Sequence, residues 1–273
     1  MIRDNDLERP DWAVDPAAAT ARCEEFLRTA VEASGQGGVV VGLSGGIDSA
    51  VATALAVRAL GADLVHAVRL PYRTSSQASL DDAAAVASSL GLAVETFEIS
   101  AMVDAFLADR PDADAVRRGN VMARARMIAL FDASQALGRL VLGTGNRTEW
   151  LLGYTTLHGD EACGLNPLGQ LYKTEIRLLA DHLELPRVVL DKAPSADLWE
   201  GQSDEDELGF TYAEADRLLH HLVDEGLQSR QLAALGFATT VVEKVVARMR
   251  SQRFKRVAPP VCEFDRPGPD ASA

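Results

Sequence analysis

Apolar residues along the chain fall into short runs, separated by segments in which they recur every three or four positions. Val39, Val40, Val41 and Leu43 form a run without polar alternation, which predicts a strand at 38–43 covered on both faces. Comparable runs predict strands at 63–69, 92–99 and 139–143. Helical spacing predicts helices at 48–60, stopped by Gly61, at 80–90, stopped by Gly91, and within 117–137. Ahead of these, Asp15-Pro16 reads as a cap followed by a first-turn proline, and Ala19, Cys23, Phe26, Leu27, Ala30 and Val31 predict an opening helix up to Gly35. A helix at 173–184 ends before Pro186, and two or three more are expected within 211–253. Strands separated by helix-length segments imply right-handed crossovers and a parallel sheet, so the predicted class is α/β with helices on both faces and further helices at the C-terminal end.

Composition narrows this picture. With 273 residues, 47% of them hydrophobic, the chain can bury a full core. The formal net charge is -13, from 40 acidic and 27 basic residues, which disfavours a nucleic-acid backbone as partner. Cys23, Cys163 and Cys262 are scattered and odd in number, which predicts a reduced, cytoplasmic chain without a disulfide frame or zinc site. No apolar run approaches the ~20 residues that span a bilayer, so no membrane partner is expected.

The candidate chemistry lies where the first strand ends. Ser44-Gly45-Gly46-Ile47-Asp48-Ser49 joins a buried strand to a helix, so its backbone N–H groups and the positive end of the helix dipole converge on one spot suited to an anion. Gly45 and Gly46 leave room for a phosphate, and Ser44 and Ser49 add hydroxyl donors. No lysine follows the glycines as a Walker loop requires, so a different bond of the nucleotide is expected to break. Asp48 beside a phosphate needs a cation between them, which makes it a candidate magnesium ligand. A second small-residue turn, Gly143-Thr144-Gly145-Asn146, closes strand 139–143 and would face the first if the sheet order reverses there. Glu149 and Asp160 supply carboxylates from further segments. Lys173 starts its helix, where a cation is poorly placed for the dipole, which hints at use. Arg124 and Arg126 stand two apart on a predicted helix and point in different directions. The polar stretch 191–210 breaks the periodicity and reads as a lid that shields an intermediate from water.

SGGIDS after a buried strand resembles the pyrophosphate loop of the N-type ATP pyrophosphatases. VRLPY at 68–72, GNVMARARM at 119–127, LGTGNRTEWLLGYTTLHGD at 142–160, PLGQLYKTEIRLLA at 167–180 and KAPSADLWEGQSDEDELGFTY at 192–212 together resemble ammonia-dependent NAD synthetase, in order from about residue 20 to residue 260. The resemblance implies a Rossmann-like, adenine nucleotide alpha hydrolase-like core at 38–190 after an N-terminal helix within 1–37, the lid at 191–210, a helical part at 211–258 and a loose tail at 259–273, all one domain. It implies ATP contacts at Gly42, Leu43, Ser44, Gly45, Gly46, Ile47, Ser49, Arg69, Thr144, Lys173, Ser195 and Lys255. It places deamido-NAD at Asn120, Arg124, Asp160 and Gly164, and magnesium at Asp48, Glu149 and Asp160, with Asp48 and Lys173 central to catalysis. The implied reaction adenylates the nicotinate carboxylate with ATP, releases pyrophosphate, and lets ammonia displace AMP. No side-chain nucleophile is required, so His66, His158, His182, His220 and His221 are read as structural or surface groups. The length leaves no room for an added amidase domain, which predicts free ammonia, with a separate glutaminase partner left open; the family implies a homodimer. Phe254 replaces a histidine, Ser203 a threonine, and Gly159-Asp160-Glu161 the Gly-Asp-Gly common among relatives. Rival readings are a tRNA-modifying thiolase or lysidine synthetase, which should bring a basic surface or a cysteine pair, and a GMP-synthetase-like amidator, which should differ beyond the loop.

Overall fold

The structure, a computed structural model, describes residues 9–193, 204–262 and 264. Strands β1 (Val39–Gly42), β2 (Val65–Arg69), β3 (Val94–Thr96) and β4 (Leu140–Val141) form one parallel sheet in the order β3-β2-β1-β4. The chain steps outward from β1 through β2 to β3, then returns to the other side of β1. The order therefore reverses between β1 and β4, as a crevice between the two small-residue turns requires. An isolated parallel bridge from Leu142 to Leu165 extends the sheet beyond β4.

The unalternating valines of β1 do face two cores. Val39, Val41 and Leu43 pack with α1 (Pro16–Ser34), α2 (Ile47–Leu60) and, further along, α7 (Lys173–His182) and α8 (Arg187–Leu190). Val40 packs on the other face with Val68, Val141 and residues of α4 (Ser100–Leu107) and α5 (Ala115–Leu137). Helix α3 (Gln77–Ser89) joins the first layer through Ala83, Val86 and Ala87. A third cluster binds α6 (Arg147–Leu152), α10 (Tyr212–Leu219), α11 (Ser229–Ala234) and α12 (Thr239–Ser251), with Leu151, Leu152 and Tyr172 as its link to the sheet layers. Short α9 (Asp204–Leu208), a π-helical turn His220–Asp224 and 3-10 turns at Ala62–Leu64 and Arg253–Arg256 complete the described elements.

Local chemistry explains most boundaries. Asp15 accepts a hydrogen bond from the Ala18 amide at 3.0 Å with Pro16 in the first turn, and Gly35 at φ +67° ends α1. The third helix starts at Gln77, earlier than the expected 80, because the Ser76 hydroxyl accepts from the Ser79 amide at 3.1 Å. Predicted strand 92–99 contracts to Val94–Thr96 and 139–143 to Leu140–Val141, since each lies at a margin of the sheet and pairs over only three and two positions. Helix α4 and helix α6 arise in stretches where no helix was expected. Among the described residues no helix is long and apolar enough to cross a membrane.

Candidate active site

The Ser44–Ser49 turn connects β1 to α2 at the carboxyl edge of the sheet. Gly45 has φ +80°, and a Cβ there would stand 2.3 Å from the Ser79 carbonyl oxygen, so glycine is required both by conformation and by space. The serine hydroxyls brace one another: Ser44 Oγ lies 3.1 Å from Ser49 Oγ, the Gly46 amide donates to Ser44 Oγ at 3.2 Å, and Ser49 Oγ donates to the Gly46 carbonyl at 2.9 Å. Helix α2 begins at Gly46 without a side-chain cap. Its first amides, with the dipole behind them, are therefore available to an anion. Gly42 and Leu43 support the turn from the strand, where the Leu43 amide donates to the Val68 carbonyl at 2.9 Å and a Cβ on Gly42 would press on Leu130. Ile47 is buried behind the turn.

Three helix N-termini bring the charged groups together. Asp48 stands in the first turn of α2, Glu149 in that of α6, and Lys173 opens α7. The Lys173 ammonium donates to Asp48 Oδ2 and lies 3.6 Å from Glu149 Oε1, with only 5% of its side chain exposed. Its ring neighbour is Tyr212, 5.1 Å from Nζ to the centroid. Burial alone would lower the lysine pKa, but the two carboxylates prevail and hold it raised. Conversely, burial first and the Asp48 carboxylate second push the Glu149 carboxyl up, against the pull of Lys173. Asn146 completes the group: Nδ2 donates to Asp48 Oδ1 at 2.8 Å, while its Oδ1 accepts from the Glu149 amide at 2.9 Å and Glu149 Oε2 accepts from the Asn146 amide at 3.2 Å. This capping box fixes Glu149 in place. The pattern N-x-x-E could have revealed it, yet sequence reasoning treated Asn146 only as a turn residue.

The remaining predicted residues separate into distinct positions. Arg69 holds Thr96 Oγ1 at 2.8 Å and the Leu80 carbonyl at 3.2 Å, joining β2 to β3 and α3. Thr144 lies in the turn after β4. Arg124 donates to the Leu157 carbonyl at 3.1 Å, whereas Arg126 donates to the Leu70 carbonyl at 3.0 Å, so the two arginines do diverge. Asn120 accepts from Thr156 Oγ1 at 2.8 Å, and Asp160 accepts from the Thr156 amide at 2.9 Å. Gly164 donates its amide to the Val141 carbonyl at 2.8 Å along the sheet margin. Lys255 donates to the carbonyls of Gly153 and Thr155 at 2.8 and 2.6 Å, which docks the 3-10 turn onto the loop after α6. Among the described residues, Asp48, Glu149 and Asp160 do not bring their carboxylates within 4.8 Å of one another as a set. Ser195, Trp199 and Ser203, and with them most of the expected lid, lie outside the described residues.

A cavity of about 710 Å³ opens beside this group, within the ~300–1,000 Å³ range of small-molecule sites. Asn146, Gly145, Asp160, Cys163, Cys23 and Gln170 are among its lining. Asn146 belongs to both places, with its amide at Asp48 and its body at the cavity wall. Burial raises the pKa of the Cys163 thiol, so it lines the cavity as a thiol and not as a nucleophilic thiolate. Outside the cavity, residues without a predicted role form their own contacts: Lys192 donates to Ser79 Oγ and Asp82 at 3.0 and 2.8 Å, both of which adjoin Gly45, and Tyr154 donates to Asp204 and Glu207 at 3.1 and 2.7 Å.

The geometry presents a phosphate-sized turn, a buried lysine between carboxylates, and an adjoining ligand-sized cavity at the point where strand order reverses. Comparison with known proteins gives the same answer from a different direction. The model of the family described as NAD synthase matches residues 19–259. The NH(3)-dependent NAD(+) synthetase of Chlorobaculum tepidum is 49% identical over 239 residues, 88% of this chain and 86% of that protein. Among solved structures, NMN synthetase from Francisella tularensis superposes with a TM-score of 0.82 at 34% identity, covering 92% of this chain and all of that one. The NH3-dependent NAD synthetase from Campylobacter jejuni, solved with nitrate, gives 0.79 at 34% identity with coverage of 92% and 100%. This chain belongs to the NAD synthase family.

Proposed function

We propose that the chain makes NAD by amidating deamido-NAD with ammonia at the expense of ATP. The observation that carries this reading is Lys173, buried between Glu149 and Asp48, the latter in the first turn of the uncapped α2. In this reading the ATP triphosphate lies on the Ser44–Ser49 amides, with Thr144, Ser195 and Lys255 as further contacts. The nicotinate carboxylate approaches from the cavity and attacks the α-phosphorus. The bond from that phosphorus to its bridging oxygen breaks, and pyrophosphate leaves while held by the turn amides and Lys173. Ammonia then adds to the acyl carbon, AMP departs, and a proton is lost to solvent. The protein's part is alignment and charge neutralisation.

Two largely buried carboxylates, both oxygen donors, crowd one cation here, and such a donor set fits magnesium. Asp48 and Glu149 would hold the ion, which supplies neutralisation of the departing phosphate charge. Asp160 sits on the cavity side with Asn120 and Arg124 in reach of the loop 156–157, so we assign it to the deamido-NAD end. We also propose a homodimer, supported by the exposed Ile128 and Phe131 on α5, and delivery of ammonia either free or from a separate glutaminase.

The test supplies Mg-ATP and ammonium with deamido-NAD, nicotinate mononucleotide, XMP or tRNA in separate reactions, and follows AMP and pyrophosphate. Deamido-NAD should give NAD, AMP and pyrophosphate in equal amounts. Release of ADP would overturn the placement of the triphosphate, and turnover only with another acceptor would overturn the substrate.

A further inference from the structure

We propose that His220, His221 and Glu225 bind one divalent transition-metal ion of the zinc class, at a site separate from the nucleotide turn. The local backbone makes this possible. Residues His220–Asp224 form a π-helical turn, which is wider than an α-helical one and brings positions four and five apart onto one face. In an ordinary helix Glu225 could face His221 but would swing away from His220. Here one Glu225 carboxylate meets both rings, with Oε1 3.4 Å from His220 Nε2 and Oε2 2.7 Å from His221 Nδ1. All three donor atoms lie within 4.8 Å of one another. Bonds of about 2.0–2.2 Å to a tetrahedral zinc ion require ligand atoms about 3.3–3.6 Å apart; the 3.4 Å between His220 Nε2 and Glu225 Oε1 already meets this, and the 2.7 Å between His221 Nδ1 and Glu225 Oε2 must widen.

The second ring nitrogen of His220 strengthens the assignment. Nδ1 lies 3.3 Å from Asp224 Oδ2, which can accept a hydrogen bond from the Nδ1 proton and leave the Nε2 lone pair for an ion placed between the ring and Glu225 Oε1. The outer carboxylate fixing the tautomer of a metal-binding histidine is a recurrent arrangement. His220 is also stacked on Trp12, with centroids 5.2 Å apart, which orients the ring before any ion arrives. Two histidines and one glutamate leave a fourth position for water. Among the described residues no other set of three His, Cys, Asp or Glu side chains converges in this way.

Asp224 also accepts from Arg147 and, at 2.8 Å, from Tyr172, which adjoin Asn146 and Lys173 in the chain. An ion that locks His220 against Asp224 therefore steadies the start of α6 and α7 from behind.

The experiment uses the full-length chain with any affinity tag removed, stripped with chelator and titrated with Co²⁺, recording visible absorption. One Co²⁺ per chain with the intense bands of tetrahedral coordination, bleached by Zn²⁺, is the expected result. Glu225→Gln and His221→Gln should each weaken binding at least tenfold. Zn²⁺ should raise the melting temperature of the parent and leave that of both variants unmoved. The Glu225 side chain is 45% exposed, so its variant tests the site without disturbing the core. Only the weak spectrum of aqueous Co²⁺ at micromolar protein and metal, or equal binding by parent and both variants, would overturn the proposal and leave a simple histidine–carboxylate ion pair.

Discussion

Lys173 spends solvation to sit where it does. A buried ammonium is costly, and only paired charge makes it tolerable. Asp48 and Glu149 supply that charge from two other helices, so each side chain of the trio depends on the remaining two. Removing the lysine leaves two carboxylates facing each other without a cation. Lys173→Met, which keeps the apolar stem, should therefore destabilise the chain by about 3 kcal/mol in magnesium-free urea unfolding. If, as proposed, Lys173 faces the leaving phosphate, the variant should also cut kcat at least ~100-fold. A variant within 1 kcal/mol of the parent would mean that water already screens the two acids. The lysine's awkward place at a helix start was visible in the sequence, as were the two acids. Their meeting was not, since 98 and 125 residues separate Asp48 from Asn146 and Lys173.

Two of the three helices that carry the charged group, α2 and α7, were foreseen, and the third, α6, is of the short kind that periodicity conceals. The opening helix, α2 and α5 run 19, 14 and 23 residues, long enough for an apolar stripe to repeat and for caps to mark their ends. Helices α4, α6 and α8 have 8, 6 and 4 residues, too few turns to display a period, and two of these were unforeseen while the third went unmarked after Pro186. The Ser44–Ser49 turn was legible as a candidate anion site because glycine and serine between a buried strand and a helix have few other uses. Its most constrained position is Gly45, where both φ and the Ser79 carbonyl exclude a side chain. Gly45→Ala should shift the turn, lower kcat/KM by at least ~100-fold, and cost about 1–3 kcal/mol of stability. Gly46→Ala, whose Cβ would meet only Ser44 Oγ at 3.3 Å, should cost much less stability, and equal losses in the two variants would contradict the steric argument.

At the scale of the whole molecule, the C-terminal helices must be held against the sheet layers for Tyr212 to cover Lys173. The tie is Asp216 on α10, wholly buried, which accepts from Thr148 Oγ1 on α6 at 2.5 Å and from the amide and hydroxyl of Thr174 on α7, each at 2.7 Å. No local pattern announces this residue, because its partners are 68 and 42 positions away. Burial, the largest influence, lifts its carboxyl from 3.8 to about 6 despite the threonine donors. The native state thus binds a proton more tightly here than the unfolded chain does. Stability from this group is complete below about pH 4 and is lost as pH rises through about 6, a span worth about 3 kcal/mol at 1.36 kcal/mol per pKa unit. Asp216→Asn cannot titrate, so the stability difference between the parent and this variant should shrink by about that amount from pH 4 to pH 7 in urea unfolding. A difference that stays level across the range would mean that the three donors hold Asp216 ionised throughout, and that the tie between the two halves is a charged one.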